Sequence, residues 1–294
     1  MRSAALMGTI VTIEVVSAGA DEAVTRAFNW FRHVESCCSR FDPESELRRL
    51  IAKPGVRVAA TPVLFQAVQF ALAVAAETGG AFDPTVGHSM EAHGFDREYM
   101  TGRAMPTAVA ARGEVSFRDV ELDTKAQTIT LKQPLVLDLG AVAKGLAADA
   151  AARELSTFRN FAVDAGGDLY LGGRNAEGEP WSIGIPHPRK YRELIETIQV
   201  SDRAVCTSGD YERRSPTDDA SHHILDPRTR RSAGASCSAT VVAPTAILAD
   251  ALATAAFVLG PDEGIKLLDR MGVDGVVYSP DLDRRATKGF GRAA

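Results

Sequence analysis

The chain has 294 residues, enough for one large domain or two ordinary ones, and its 45% hydrophobic and 24% charged content is that of a globular protein. Disordered and fibrous classes are thereby excluded. With 33 Lys+Arg against 38 Asp+Glu, a net charge of -5, no broadly basic surface is available to grip nucleic acid, although a small local anion site stays open.

Residues 8–16 (GTIVTIEVV) are β-branched with partial alternation and predict a strand. A helix is expected over 20–32, with Val24, Phe28 and Phe31 on one side, and a short one over 44–51. The long apolar helix 61–78 has Thr61 as cap, Pro62 in its first turn and Gly79-Gly80 as its stop. Weak periodicity over about 81–115 suggests an irregular loop that builds a site. Strands are expected at 120–122, 128–131, 135–137, 161–163, 169–171, 181–185, 197–200, 238–242 and 275–278. Helices are expected at 140–155, 244–259 and 262–271. This order is mixed and not a βαβ alternation, and no G-x-G-x-x-G follows the first strand. The reading is therefore α+β, one compact unit over residues 1–294 with two lobes as the variant.

No apolar run approaches the roughly 18–20 residues that span a bilayer. The first nine residues are too short an apolar stretch for a signal peptide, so a complete chain of this kind would be soluble and cytoplasmic. Cys37, Cys38, Cys206 and Cys237 have no zinc spacing and read as reduced, packed thiols.

Four segments can carry chemistry. Asp138-Leu139-Gly140-Ala141-Val142-Ala143-Lys144-Gly145 joins a strand end to a helix start, where free amides and the Lys144 charge suit a phosphate; a plain helix cap is the alternative for Asp138. Asp250 and Thr254 stand one turn apart on an otherwise apolar helix, a pair of hard oxygens suited to Mg²⁺; alternatively Thr254 bonds its own i-4 carbonyl. His222-His223 beside Asp226-Pro227 offers a general base or a solvated loop pair. GGAFDPTVG at 79–87 is a turn-rich loop with Phe82 as an exposed aromatic, able to pass backbone close to a flat ring or simply to turn the chain.

These segments, with Met7-Gly8-Thr9, the Ser39–Leu47 stretch, DAGGD at 164–168, TSGDYER at 207–213, HHILDP at 222–227 and ADALATAAFVLG at 249–260, occur in one order from about residue 7 to 260. In this the chain resembles the ApbE family, the FAD:protein FMN transferases. The resemblance implies a T-fold-related α+β fold, bound FAD and a divalent cation, usually Mg²⁺. It implies cleavage of the FAD pyrophosphate, attachment of FMN through a phosphoester to a threonine of an acceptor protein (in an Asp-Gly-x-Thr type of segment) and release of AMP. By motif, the flavin contacts would be Met7, Phe41, Ala81, Phe82, Asp83, Asp138, Lys144 and Ile224. The metal ligands would be the main-chain oxygen of Ala141 with Asp250 and Thr254, and the base His223. The chain departs from the family at Phe41, where tyrosine is common, and at Arg228-Thr229-Arg230, where Arg-Thr-Gly is usual. Many relatives carry a lipoprotein signal, so an extracytoplasmic origin is the alternative if the chain is trimmed. An Mg²⁺-dependent FAD pyrophosphatase and a non-catalytic FAD-binding protein are the competing functions.

Overall fold

A computed structural model describes residues 1–97, 101–110, 113–216, 218 and 221–291. The strands are β1 (Arg2–Leu6), β2 (Thr9–Val15), β3 (Arg57–Ala59), β4 (Val120–Asp123), β5 (Thr128–Leu131), β6 (Phe161–Ala165), β7 (Asp168–Gly172), β8 (Trp181–Pro186), β9 (Leu194–Val200), β10 (Arg203–Gly209), β11 (Leu225–Asp226), β12 (Arg231–Ser232), β13 (Ser238–Ala243), β14 (Asp274–Tyr278) and β15 (Arg284–Ala286). The helices are α1 (Asp21–Cys38), α2 (Glu46–Ile51), α3 (Pro62–Glu77), α4 (Gly87–Ala92), α5 (Gly140–Leu155), α6 (Ala246–Leu259) and α7 (Pro261–Met271).

Eight strands form one antiparallel sheet in the order β1-β2-β6-β7-β10-β13-β14-β15. Its two faces follow the period of two. On β10, Ala204 and Cys206 enter the large core with α1, α3, α5 and α6, while Val205 enters a smaller core under the β8–β9 hairpin. On β13 and β14, Val241 and Val277 face the first core, and Val276 and Tyr278 the second. The α+β expectation holds, in one unit whose sheet carries helices on one side and a hairpin on the other.

Local signals explain most boundaries. The Thr61 hydroxyl accepts from the Leu64 amide, Pro62 opens α3, and Gly79 and Gly80 take φ +61° and +85° beyond its end. The expected strand at 135–137 does not form. Leu135, Val136 and Leu137 are buried, but their backbone serves a neighbouring turn: Gly87 donates to the Val136 carbonyl at 3.1 Å and Asp138 to that of Pro84 at 2.7 Å. Strands β1, β3, β10, β11, β12 and β15 were not expected. β10 is buried on both faces and lacks the alternation that marks a half-buried strand. Residues 98–100 and 111–112 of the expected loop lie outside the described residues; most of the rest is irregular, apart from a 3₁₀ turn and α4. All four cysteines are buried free thiols. Among the described residues no helix is long and apolar enough to cross a membrane.

Candidate active site

Helices α5 and α6 cross at Gly145. A Cβ there would sit 2.5 Å from the Ala246 carbonyl oxygen and 2.6 Å from Ile247 Cα, so only glycine permits the approach. Asp149, one turn further along α5, accepts from the Ala246 and Ile247 amides at 2.7 and 3.0 Å. It caps α6 from another helix, and Thr245, at the cap position itself, makes no side-chain bond.

This crossing sets Lys144 beside Asp250. Lys144 Nζ pairs closely with Asp168 on β7 and lies 3.6 Å from Asp250 Oδ2. Burial works against the ammonium, but Asp168 and Asp250 outweigh it and raise its pKa. Asp250 is 4% exposed on a helix whose only other polar side chain is Thr254. Burial first and then the charge of Asp168 push its carboxyl up to about 7, against the pull of Lys144. Its Oδ2 has no hydrogen-bond partner. Thr254 does not take the local alternative; its Oγ1 lies 3.2 Å from Ser208 Oγ at the end of β10. At Ala141 the backbone leaves helical values (φ -91°, ψ 20°), which turns its carbonyl off the α5 ladder.

Among the described residues no group of three His, Cys, Asp or Glu could hold a metal. A cation here would depend on one carboxylate with main-chain and hydroxyl oxygens, the donor set of a weakly held, partly hydrated Mg²⁺. The orphaned Asp250 oxygen and the kink at Ala141 fit that requirement.

A second group adjoins the first through the α5 start. Asp138 accepts from Arg40 Nε at 2.8 Å and from the Gly140 amide at 2.8 Å. Burial raises its pKa, but Arg40 and the Gly140 amide prevail and leave it lowered. Asp138 thus serves the helix start and an ion pair together. Arg40 is 3% exposed; it also donates to the Phe95 carbonyl at 2.8 Å, nears Glu91 at 3.5 Å and stacks its guanidinium 4.4 Å from the Phe41 ring centre. Phe95 in turn meets His223 edge-on, with ring centres 6.5 Å apart.

The two histidines differ sharply. His222 is buried, takes the Ile224 amide on Nδ1 at 3.3 Å and so donates from Nε2 to the Ala233 carbonyl at 2.9 Å. Both ring nitrogens are spent on structure. His223 keeps its Nδ1 buried and without a partner. Desolvation first, then Arg213, lowers its pKa to about 3, so the imidazole is neutral. Lys144 contributes to the same depression, which places the histidine within electrostatic reach of the lysine.

Phe82 is not the exposed aromatic that the loop composition suggests. It is 5% exposed and packs with Ala81 in the large core, while its amide donates to Thr78 Oγ1 at 3.1 Å. The Asp83 carboxylate is also committed, accepting from the Thr85 amide and hydroxyl at 2.8 and 2.7 Å and from the Phe117 amide at 2.9 Å. Any ligand contact from this loop is therefore one of backbone and shape. Ile224 is buried beside His223. Met7 occupies the β1–β2 turn at φ +51° and donates its amide to Glu35 Oε1 at 3.0 Å. The turn approaches the Asp168 loop through Thr9, whose Oγ1 would lie 2.1 Å from a Cβ on Gly166. Arg230 stands at φ +57°, so the turn keeps the left-handed form that glycine favours despite the substitution.

Three site residues escape sequence reasoning. Arg40 has no signature, because nothing local says an arginine will be buried. Ser208 and Asp168 lie inside TSGDYER and DAGGD, but only the sheet brings β7 and β10 together, with Cys206 opposite Asp168.

The ApbE family model matches residues 7–277. A FAD:protein FMN transferase of Treponema pallidum is 33% identical over 320 residues, 98% of this chain and 87% of that protein. One from Haemophilus influenzae is 29% identical, over 90% of this chain and 82% of that protein. Among solved structures, the ApbE protein of Thermotoga maritima superposes with a TM-score of 0.86 at 30% identity, over 98% of this chain and 97% of that one. The flavin transferase ApbE of Vibrio cholerae does so with 0.84 at 26%, over the same shares.

Proposed function

Since the chain belongs to the ApbE family, we propose that it is an FAD:protein FMN transferase. It binds FAD, joins the FMN phosphate to a threonine hydroxyl of an acceptor protein, and releases AMP. The observation that carries this reading is the buried Asp250 carboxylate with one unpartnered oxygen 3.6 Å from Lys144, the lysine whose charge also acts on a neutral His223.

Each residue has a defined task. Asp250, Thr254 and the Ala141 carbonyl would hold Mg²⁺, which when bound neutralises charge on the pyrophosphate. Lys144 grips a phosphate oxygen, and the amides at the α5 start add their partial positive charge. The Ala81–Asp83 backbone, Met7, Phe41 and Ile224 shape the flavin side, and Arg40 fixes Asp138 and Phe41. His223 takes the threonine proton as the hydroxyl oxygen attacks the FMN phosphorus; the bond to the bridging oxygen breaks and AMP departs with that electron pair. A base with a pKa of about 3 is weak in the free protein. Pyrophosphate bound beside Lys144 and Arg213 offsets the charges that depress it, which moves the imidazole toward its working range.

The test is incubation with FAD and Mg²⁺, with and without a peptide containing an Asp-Gly-x-Thr segment. FMN-bearing peptide plus AMP supports the transferase. Free FMN and AMP with no labelled peptide makes it a pyrophosphatase, and bound FAD with no AMP makes it a flavin-binding protein.

A further inference from the structure

Lys144 is offered two buried carboxylates and does not share itself equally between them. It closes on Asp168, while its distance to Asp250 Oδ2 is 3.6 Å, beyond hydrogen-bond range. Asp250 Oδ2 is left with no hydrogen-bond partner. Asp168 and Asp250 are each about 6% exposed at the side chain, so water does little to screen the choice.

We infer that Asp168 is a positioning residue whose carboxylate anchors the Lys144 ammonium away from Asp250, so that the free Asp250 oxygen stays open to a divalent cation. The inference rests on the metal site proposed above and adds to it the group that keeps that site vacant of the chain's own cation. Without Asp168, the nearest anion to Lys144 is Asp250. A move of about an ångström would bring the ammonium into hydrogen-bond contact with the very oxygen a cation needs. Asp168 belongs to β7 and Asp250 to α6, so sheet and helix hold the two carboxylates apart and Lys144 on α5 has to choose.

The experiment is calorimetric titration of Mg²⁺ into flavin-free protein, for the wild type, Asp168→Asn, Lys144→Met and the double variant. Asp168→Asn should weaken Mg²⁺ binding by about 10–100-fold, the usual effect of removing a group that orients a metal ligand. Lys144→Met alone should shift it by a smaller factor than the same substitution does in the Asp168→Asn background, because in the wild type the ammonium acts on Asp250 through its field and does not occupy the oxygen. Added to Asp168→Asn, the same substitution should restore binding to within about threefold of wild type, because no ammonium remains to occupy Asp250. The double variant loses one charge of each sign, so it also serves as the folding control, with thermal melting run alongside.

A simple field effect would make Lys144→Met shift affinity by one common factor in both backgrounds, and that result overturns the anchoring role while leaving the metal site intact. Wild-type affinity in Asp168→Asn overturns it as well. If the wild type itself takes up no Mg²⁺, the metal site and its anchor fall together.

Discussion

Replacing Gly145 with alanine tests the link between fold and site. Taken alone, the helix interior favours the change by about 0.5–1 kcal/mol. The crossing opposes it. The new Cβ would meet the Ala246 carbonyl oxygen at 2.5 Å and carbon at 2.6 Å, and these are backbone atoms that no rotamer can move aside. Reaching ordinary contact at 3.4 Å would open the crossing by about 0.9 Å. Overpacking of this kind costs about 1–3 kcal/mol. The same shift stretches the Asp149 bonds to the Ala246 and Ile247 amides, now 2.7 and 3.0 Å. Each bond to a charged acceptor is worth about 1.5–3 kcal/mol. With partial loss of those bonds and the propensity gain subtracted, the net destabilisation is about 2–5 kcal/mol, which for a chain of 294 residues is a fall in Tm of roughly 3–8 °C. Asp250 rides on α6, so Mg²⁺ affinity should fall with it. Differential scanning calorimetry and Mg²⁺ titration read the two effects. A Gly145→Ala protein that melts at or above the wild-type temperature would refute the claim that this glycine exists for the helix approach.

Other expectations follow from the site. Asp250→Ala should abolish nearly all transfer while weakening FAD binding less, as seen by product assay beside flavin fluorescence titration; wild-type activity in limiting Mg²⁺ would remove this residue from the metal site. Because burial and Asp168 raise the Asp250 carboxyl to about 7, a proton competes with the cation below that pH. Mg²⁺ affinity should therefore rise as pH goes from 6 to 8, and a flat profile would count against an ionised ligand. His223→Ala should slow transfer by roughly 10²–10⁴ with FAD affinity near normal, whereas His222→Ala should lower Tm more than it lowers the rate, because its ring bonds hold the loop. Equal kinetic effects would cancel the assignment to His223. FMN should bind the wild type about tenfold or more weakly than FAD in saturating Mg²⁺, since loss of one phosphate contact is worth about 1.5–3 kcal/mol. Lys144→Ala should narrow that gap, and equal affinities for the two flavins in the wild type would point to a flavin-binding module.

Where local physics decides, the sequence alone is sufficient. The cap at Thr61, the stop at Gly79-Gly80, the bounds of α5 and the turn at Asp164–Asp168 all depend on residues within a few positions of one another. That Asp250 and Thr254 share one side of α6 is legible for the same reason, since one helical turn fixes their spacing. Other features are decided by tertiary contact. Residues 135–137 have strand composition, yet the Val136 carbonyl and the adjoining Asp138 amide bond to Gly87 and Pro84, and no sheet forms there. Phe82 has the setting of an exposed loop aromatic and is drawn into the core. Asp149 caps a helix about a hundred residues away, and Arg40 is buried because Asp138, Glu91 and the Phe95 carbonyl surround it. The division of Lys144 between Asp168 and Asp250 is of this second kind. No spacing along the chain encodes it, because the preference depends on distances that only the sheet and the two crossing helices set together.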